Sequence, residues 1–161
     1  MQIAEGSIGR VLVLRFEEGE KLPEAIERVA LEKKIESAII LLLGGVKRGK
    51  LVVGPKKTVP NPKVVLKAHF AEGREMLGIG TIFKSSSGHS LHMHIASGRG
   101  RTSLTGCIRL GVEVYLIAEA VIIELVGINA ERVKDIATGF NLLTITSAAK
   151  ARRKKPTISS L

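Results

Sequence analysis

The run Ile39-Ile40-Leu41-Leu42-Leu43, entered from Ser37-Ala38 and followed by Gly44-Gly45, constrains this chain more than any other segment. Its apolar residues do not alternate with polar ones, and it is too short to be an ordinary amphipathic helix. An unbroken aliphatic run of this length, bounded by turn residues, reads as a strand buried on both faces. A second run, residues 112–126, is longer and is broken by Glu119 and Glu124, so it reads as a long, bent strand. Neither run can cross a bilayer as a helix: the first is too short and the second carries charges. Aromatic residues are only 3% of the chain and Trp is absent, so the core that covers these strands must be built from Val, Ile, Leu and Ala.

Shorter patterns place the remaining elements. Residues 10–16 read as a strand, followed by a turn at Gly19. Pro23 suits the first turn of a helix, where its missing N–H has no partner to lose. Leu22, Ile26, Val29, Ala30 and Lys33 continue at helical spacing, and Glu24 and Glu27 lie at the positive end of the macrodipole. Gly44-Gly45 ends the aliphatic strand, and residues 50–53 pair back. Residues 54–62 carry three prolines and form a loop. Residues 64–70 and 75–83 are strand-like. Residues 91–97 and 103–110 alternate in polarity around Gly-Arg-Gly-Arg, a hairpin signal. Asn129 caps a short second helix through Ile136 or Ala137, Gly139 ends it, and residues 140–146 form a last strand. The expected fold is α+β: a central, mostly antiparallel or mixed sheet of about seven or more strands, flanked by helices.

A chain of 161 residues suggests one domain. We expect it to span residues 1–146, with residues 147–161 as a basic, solvated tail. The tail carries Lys150, Arg152, Arg153, Lys154 and Lys155, a large share of the formal net charge of +10. That charge favours DNA or another anionic partner, less strongly if the tail alone carries it. The single cysteine, Cys107, forms no internal disulfide, and the first nine residues lack a basic start and an apolar run. Both suit a cytoplasmic protein with no membrane partner.

Three of the four histidines, His89, His92 and His94, fall within six residues. Leu91, Met93 and Ile95 are apolar, so odd positions face the core and His92 and His94 share the other face; His89 points away from them. On the return strand Leu104, Gly106, Ile108 and Leu110 are apolar, whereas Thr105, Cys107 and Arg109 share the polar phase. A turn centred between Arg99 and Gly100 sets His92 opposite Cys107 and His94 opposite Thr105. A slip of two residues keeps the faces and changes the partners. Two His at i and i+2 with a cross-strand Cys can hold zinc, with a fourth position left for water or substrate. The alternative is a structural His-x-His beside a cysteine that acts as a small hydrophobe. Glu119 is either a carboxylate that orients a ligand histidine or an ordinary ion-pair partner. Arg109 can hold an anionic group on the same face, beside Thr105. Arg99 and Arg101 echo basic Gly-Arg cores that enter minor grooves, or are solvated arginines at a turn.

These segments resemble a known family. Glu75-Met76-Leu77-Gly78-Ile79-Gly80-Thr81-Ile82, Leu91-His92-Met93-His94-Ile95, Thr105-Gly106-Cys107-Ile108, and Gly111 with Glu119 are similar to the PPC (plants and prokaryotes conserved) domain. So is the segment 10–21 followed by a helix and Ile39 through Gly45. The resemblance covers about residues 8–146. It implies a central sheet flanked by helices and assembly as a homotrimer. Plant members carry separate AT-hook segments and are nuclear DNA-binding regulators; prokaryotic members are the bare domain, with no firmly assigned enzymatic activity. In prokaryotic members the His-x-His pair and a later His look like a metal triad, which carries over to His92, His94 and the position of Cys107. Here Cys replaces the later His, and no Arg-Gly-Arg-Pro hook is present. Three functions follow: a DNA-binding or regulatory protein with a metal site on the His-x-His hairpin; a metal-dependent hydrolase or lyase acting on a small anionic substrate; and a ligand-free interaction module.

Overall fold

The computed structural model describes residues 1–59, 64–86 and 88–146. Among these, nine strands and one helix follow in the order β1 (Ser7–Glu17), α1 (Leu22–Glu32), β2 (Ala38–Pro55), β3 (Val65–Phe70), β4 (Arg74–Ser85), β5 (Gly88–Arg99), β6 (Thr102–Cys107), β7 (Val112–Val126), β8 (Ala130–Lys134) and β9 (Asn141–Ile145). Residues 147–161 lie outside the described residues, and with them Lys150, Arg152, Arg153, Lys154 and Lys155.

β2, which carries the aliphatic run, is the hub of a single sheet. β7 pairs along most of its length, β4 pairs with Ala38–Val46, and β3 pairs with Gly49–Pro55. β1 adds outside β7. On the other side β5 pairs with β4 and β6 with β5, and β6 curls back to meet β2 at Val52↔Cys107. The strands β2, β4, β5 and β6 thus form a closed circuit. All these pairs are antiparallel, and the short β4–β8 pair is parallel, so the sheet is mixed.

The pleat sorts the residues into two faces. On one face Phe16, Ala38, Ile40, Leu42, Ile82, Met93, Ile95, Ala118, Ala120 and Ile122 are buried. Helix α1 lays Leu22, Ala25, Ile26 and Ala30 onto them, the i, i+3, i+4 stripe that its sequence encodes. The other face is open. There Leu41 and Leu43 of β2 stand opposite Ile79 and Leu77 of β4. Leu41 also stands opposite Val121 of β7, which in turn faces Val13 of β1. Leu77 is 69% exposed and Val13 76%. Among the described residues the aliphatic run is therefore covered on one face only, not on both as its composition suggests.

Three further expectations are corrected. Gly44-Gly45 does not end the strand, and residues 50–53 do not pair back; β2 runs through to Pro55. The two glycines instead let β2 pass close to β7 at a register shift. A Cβ on Gly44 would lie 2.5 Å from Ala118 Cα, and one on Gly45 would lie 2.5 Å from the Tyr115 carbonyl oxygen. The second helix is absent: residues 130–134 are β8, pairing antiparallel with β9. Burial there has period two, with Ala130 and Arg132 inward and Ile136 fully exposed, so no helical stripe exists to cover. The flanking layer is accordingly one helix among the described residues. Finally, the hairpin turns one residue later than expected, so Arg99 faces Thr102 and the register slips by two.

Candidate metal centre

That slip decides the geometry of the site. His94, not His92, stands opposite Cys107, and Thr105 stands opposite Ala96. The polar phases still share one face, and both histidines and the cysteine point to its open side. The Nε2 atoms of His92 and His94 are 3.1 Å apart, and the two rings meet edge to face. One donor atom from each of His92, His94 and Cys107 falls within 4.8 Å of the others. Both histidines are exposed, whereas Cys107 is only 3% exposed, because it lies where β6 returns to β2.

Arg109, two residues on in the same phase, donates from Nε to Cys107 Sγ at 3.3 Å. Burial pushes the Cys107 thiol up, but the hydrogen bonds from His92 and Arg109 and the Arg109 charge outweigh it and bring it down to about 6. Burial, with the neighbouring charges of His92 and Arg109, holds His94 below the usual imidazole range. Both shifts favour the forms that bind a metal: thiolate and neutral imidazole. The donor set itself suits zinc. Two nitrogens on one tetrahedral zinc lie about 3.3 Å apart, close to the separation seen here. Three protein donors are one short of a tetrahedral set, as in catalytic rather than structural zinc sites.

The cluster lies in the wall of a cleft of about 540 Å3 between the β5–β6 face, the ends of β2 and β3, and the segment around Phe140. β8 contributes Arg132 to this cleft, a residue that the helical reading of 129–137 hid. Its side chain is drawn inward by a bond from Nη2 to Thr81 Oγ1 at 2.8 Å, a contact from Nε to the Ser90 carbonyl at 3.4 Å, and stacking over Phe83. No sequence signal marks it: in Ala130-Glu131-Arg132-Val133-Lys134 the inward phase holds an arginine and the outward phase a valine, so apolar and polar residues do not alternate.

The other candidates are dispersed. Glu119 lies on β7, opposite Leu43 and Arg15, and β2 and β4 separate it from β5. At about 4.8 Å per strand that is about 14 Å from the histidines, so it orients neither ring. Thr105 is exposed one pleat repeat from Cys107, outside the cleft. Arg99 and Arg101 are exposed at the hairpin tip. His89 faces away from the cluster, and neither of its ring nitrogens has a partner among the described residues.

A curled, sheet-dominated domain with a His-x-His/Cys cluster on its open face is thus the class of protein that the fold and site define. The chain belongs to the Plants and Prokaryotes Conserved domain family, whose model matches residues 3–126. It is similar to the metal-containing protein of Archaeoglobus fulgidus, with 26% identity, coverage of 89% of this chain and 99% of that one, and a TM-score of 0.79. It is similar also to a plant- and prokaryote-conserved protein of Pyrococcus horikoshii, at 25% identity, covering 92% and 100%, with a TM-score of 0.78. A candidate DNA-binding protein of Ralstonia eutropha shares the fold at 17% identity, covering 83% and 90%, with a TM-score of 0.70. No curated protein matches the chain. No helix among the described residues is long and apolar enough to cross a membrane.

Proposed function

We propose that this protein is a homo-oligomeric metalloprotein that binds zinc through His92, His94 and Cys107 and uses the adjoining cleft as a ligand site. The convergence of these three donors within 4.8 Å carries the reading. The metal-containing relative from Archaeoglobus fulgidus supports it. Cys replaces the His that the family resemblance leads one to expect, and the Arg109 contact compensates by holding the sulfur as thiolate. Zinc bound there supplies Lewis-acid polarisation of a ligand oxygen. Arg109 orients Cys107 and offers its remaining N–H groups to an anion. Hydrolase or lyase chemistry on a small anionic substrate fits this arrangement. The test is the metal content of untagged protein by mass spectrometry, beside Cys107→Ala. About one zinc per chain, reduced in the variant, is the expected result; metal in neither protein refutes the site.

The open sheet face carries the assembly. A second copy of the chain, as in the trimers implied by the family resemblance, would cover Leu41, Leu43, Leu77, Ile79 and Val13, an apolar face larger than single scattered hydrophobes. A Leu41→Glu, Ile79→Glu double variant reduced to monomers in light scattering supports this; wild-type protein that is already monomeric refutes it.

A DNA-binding role is the second reading. The exposed Arg99 and Arg101 and the net charge of +10 favour it. However, six of the 25 Lys and Arg residues, Lys63 and five in 147–161, lie outside the described residues. The described residues then hold 19 cations against 15 acids, so half of the net charge of +10 belongs to residues 147–161. DNA binding that vanishes on deleting residues 147–161, with a steep salt dependence beforehand, assigns it to the tail.

A further inference from the structure

Arg132 is only 7% exposed, yet no carboxylate pairs with it among the described residues. Buried charges are ordinarily paired, because an uncompensated one loses its hydration without an electrostatic return. Its partners, Thr81 Oγ1 and the Ser90 carbonyl, are neutral and occupy two of the five N–H groups of the guanidinium. Arg109 lines the same cleft, and among the described residues it too has no carboxylate partner and only its Nε is engaged, by Cys107 Sγ. Burial, and after it repulsion from the like charge of Arg109, holds Arg132 below its ordinary pKa. The Cys107 thiolate does not balance the pair. It is one charge against two, and a bound metal would take up its lone pair.

We propose that Arg132 and Arg109 form an oxyanion-binding subsite in the cleft, beside the His92–His94–Cys107 cluster, that takes the phosphoryl group of a small molecule. This rests on the reading of the cleft as a ligand site and names its substrate class. A phosphoryl group carries close to two negative charges and three acceptor oxygens, which matches two guanidiniums with free N–H groups. A carboxylate would neutralise only one. The cleft, at about 540 Å3, is in the size range of small-molecule sites. A duplex is contacted by exposed side chains, and a guanidinium buried in a cleft wall is out of its reach. Arg132 lies beyond residues 3–126, the stretch matched by the family model, so the subsite depends on β8, an element outside that stretch.

The test is calorimetric titration of the full chain with inorganic phosphate, with acetate and a short duplex DNA as comparison ligands and zinc content measured on the same samples. Saturable phosphate binding is expected, weakened tenfold or more by Arg109→Gln and by Arg132→Gln. Arg132→Lys keeps the buried charge should Arg132→Gln fail to fold, and loses the forked contact; it is expected to bind several-fold more weakly than wild type. Three results overturn the subsite: no saturable phosphate binding by zinc-loaded protein, equal binding by folded arginine variants and wild type, or acetate binding as tightly as phosphate. Duplex DNA displacing phosphate from the cleft overturns the small-molecule assignment. Protein that takes up no zinc yet still binds phosphate through the arginines sinks the metal reading and leaves the subsite standing.

Discussion

Replacing Arg109 with Gln isolates one of the two side-chain contacts, the other being His92, that hold down the Cys107 thiol. The Arg109 Nε–Sγ contact at 3.3 Å is a hydrogen bond between a cation and a thiolate. Such a bond to a charged group contributes roughly 1.5–3 kcal/mol. At about 1.4 kcal/mol per pKa unit, its loss raises the thiol by about one to two units. In metal-free wild type the thiol titrates near 6, so roughly nine-tenths is thiolate at neutral pH. In Arg109→Gln it should titrate near 7–8. Cys107 is the sole cysteine, so ultraviolet thiolate absorbance followed against pH reads this group alone. The sign for stability follows. A thiol depressed in the fold binds fewer protons than in the unfolded chain between pH 6 and its ordinary value near 9. Its stabilisation is therefore complete above that ordinary value and is lost as pH falls through 6. The melting temperature of metal-free protein should climb across this window, and climb less in the variant. An unchanged titration midpoint in folded Arg109→Gln, or a wild-type midpoint near 9, refutes the argument.

Two substitutions test the fold that holds the site. Ile95→Ala removes a core side chain, 1% exposed, that follows His94 in β5; it should cost roughly 2–5 kcal/mol, read as a lower urea midpoint at unchanged slope. Gly44→Ala places a Cβ against Ala118 and Ile117 at a backbone φ of +132°; it should cost at least about 2 kcal/mol and loosen the β2–β7 crossing, read by faster amide exchange there.

Most strands were legible because their signals are local. The alternation of Leu91, Met93 and Ile95 puts His92 and His94 together on one face, and the alternation around Cys107 brings the return strand into phase with them. Helix α1 was legible from Pro23 and its apolar stripe. Residues 129–137 were not, because in so short a segment an Asn that suits a cap and a following Gly describe a helix and a turn-bounded strand equally well. β8 exists because β9, just after it in the chain, and the end of β4, far back in sequence, offer it backbone partners.

The chain by itself determined which side chains share a face, since the pleat has period two and any register that buries the apolar phase must also align the polar one. Which residues face each other across the hairpin was left to the turn, and a two-residue slip moved Cys107 from His92 to His94 at no cost to either phase. The distance of Glu119 from the histidines, and the arrival of Arg132 beside Arg109, were decided by strand order alone. Local sequence carries no record of which strands become neighbours; closure of β6 onto β2 and docking of β8 against β4 set that, and with it the charge balance of the cleft.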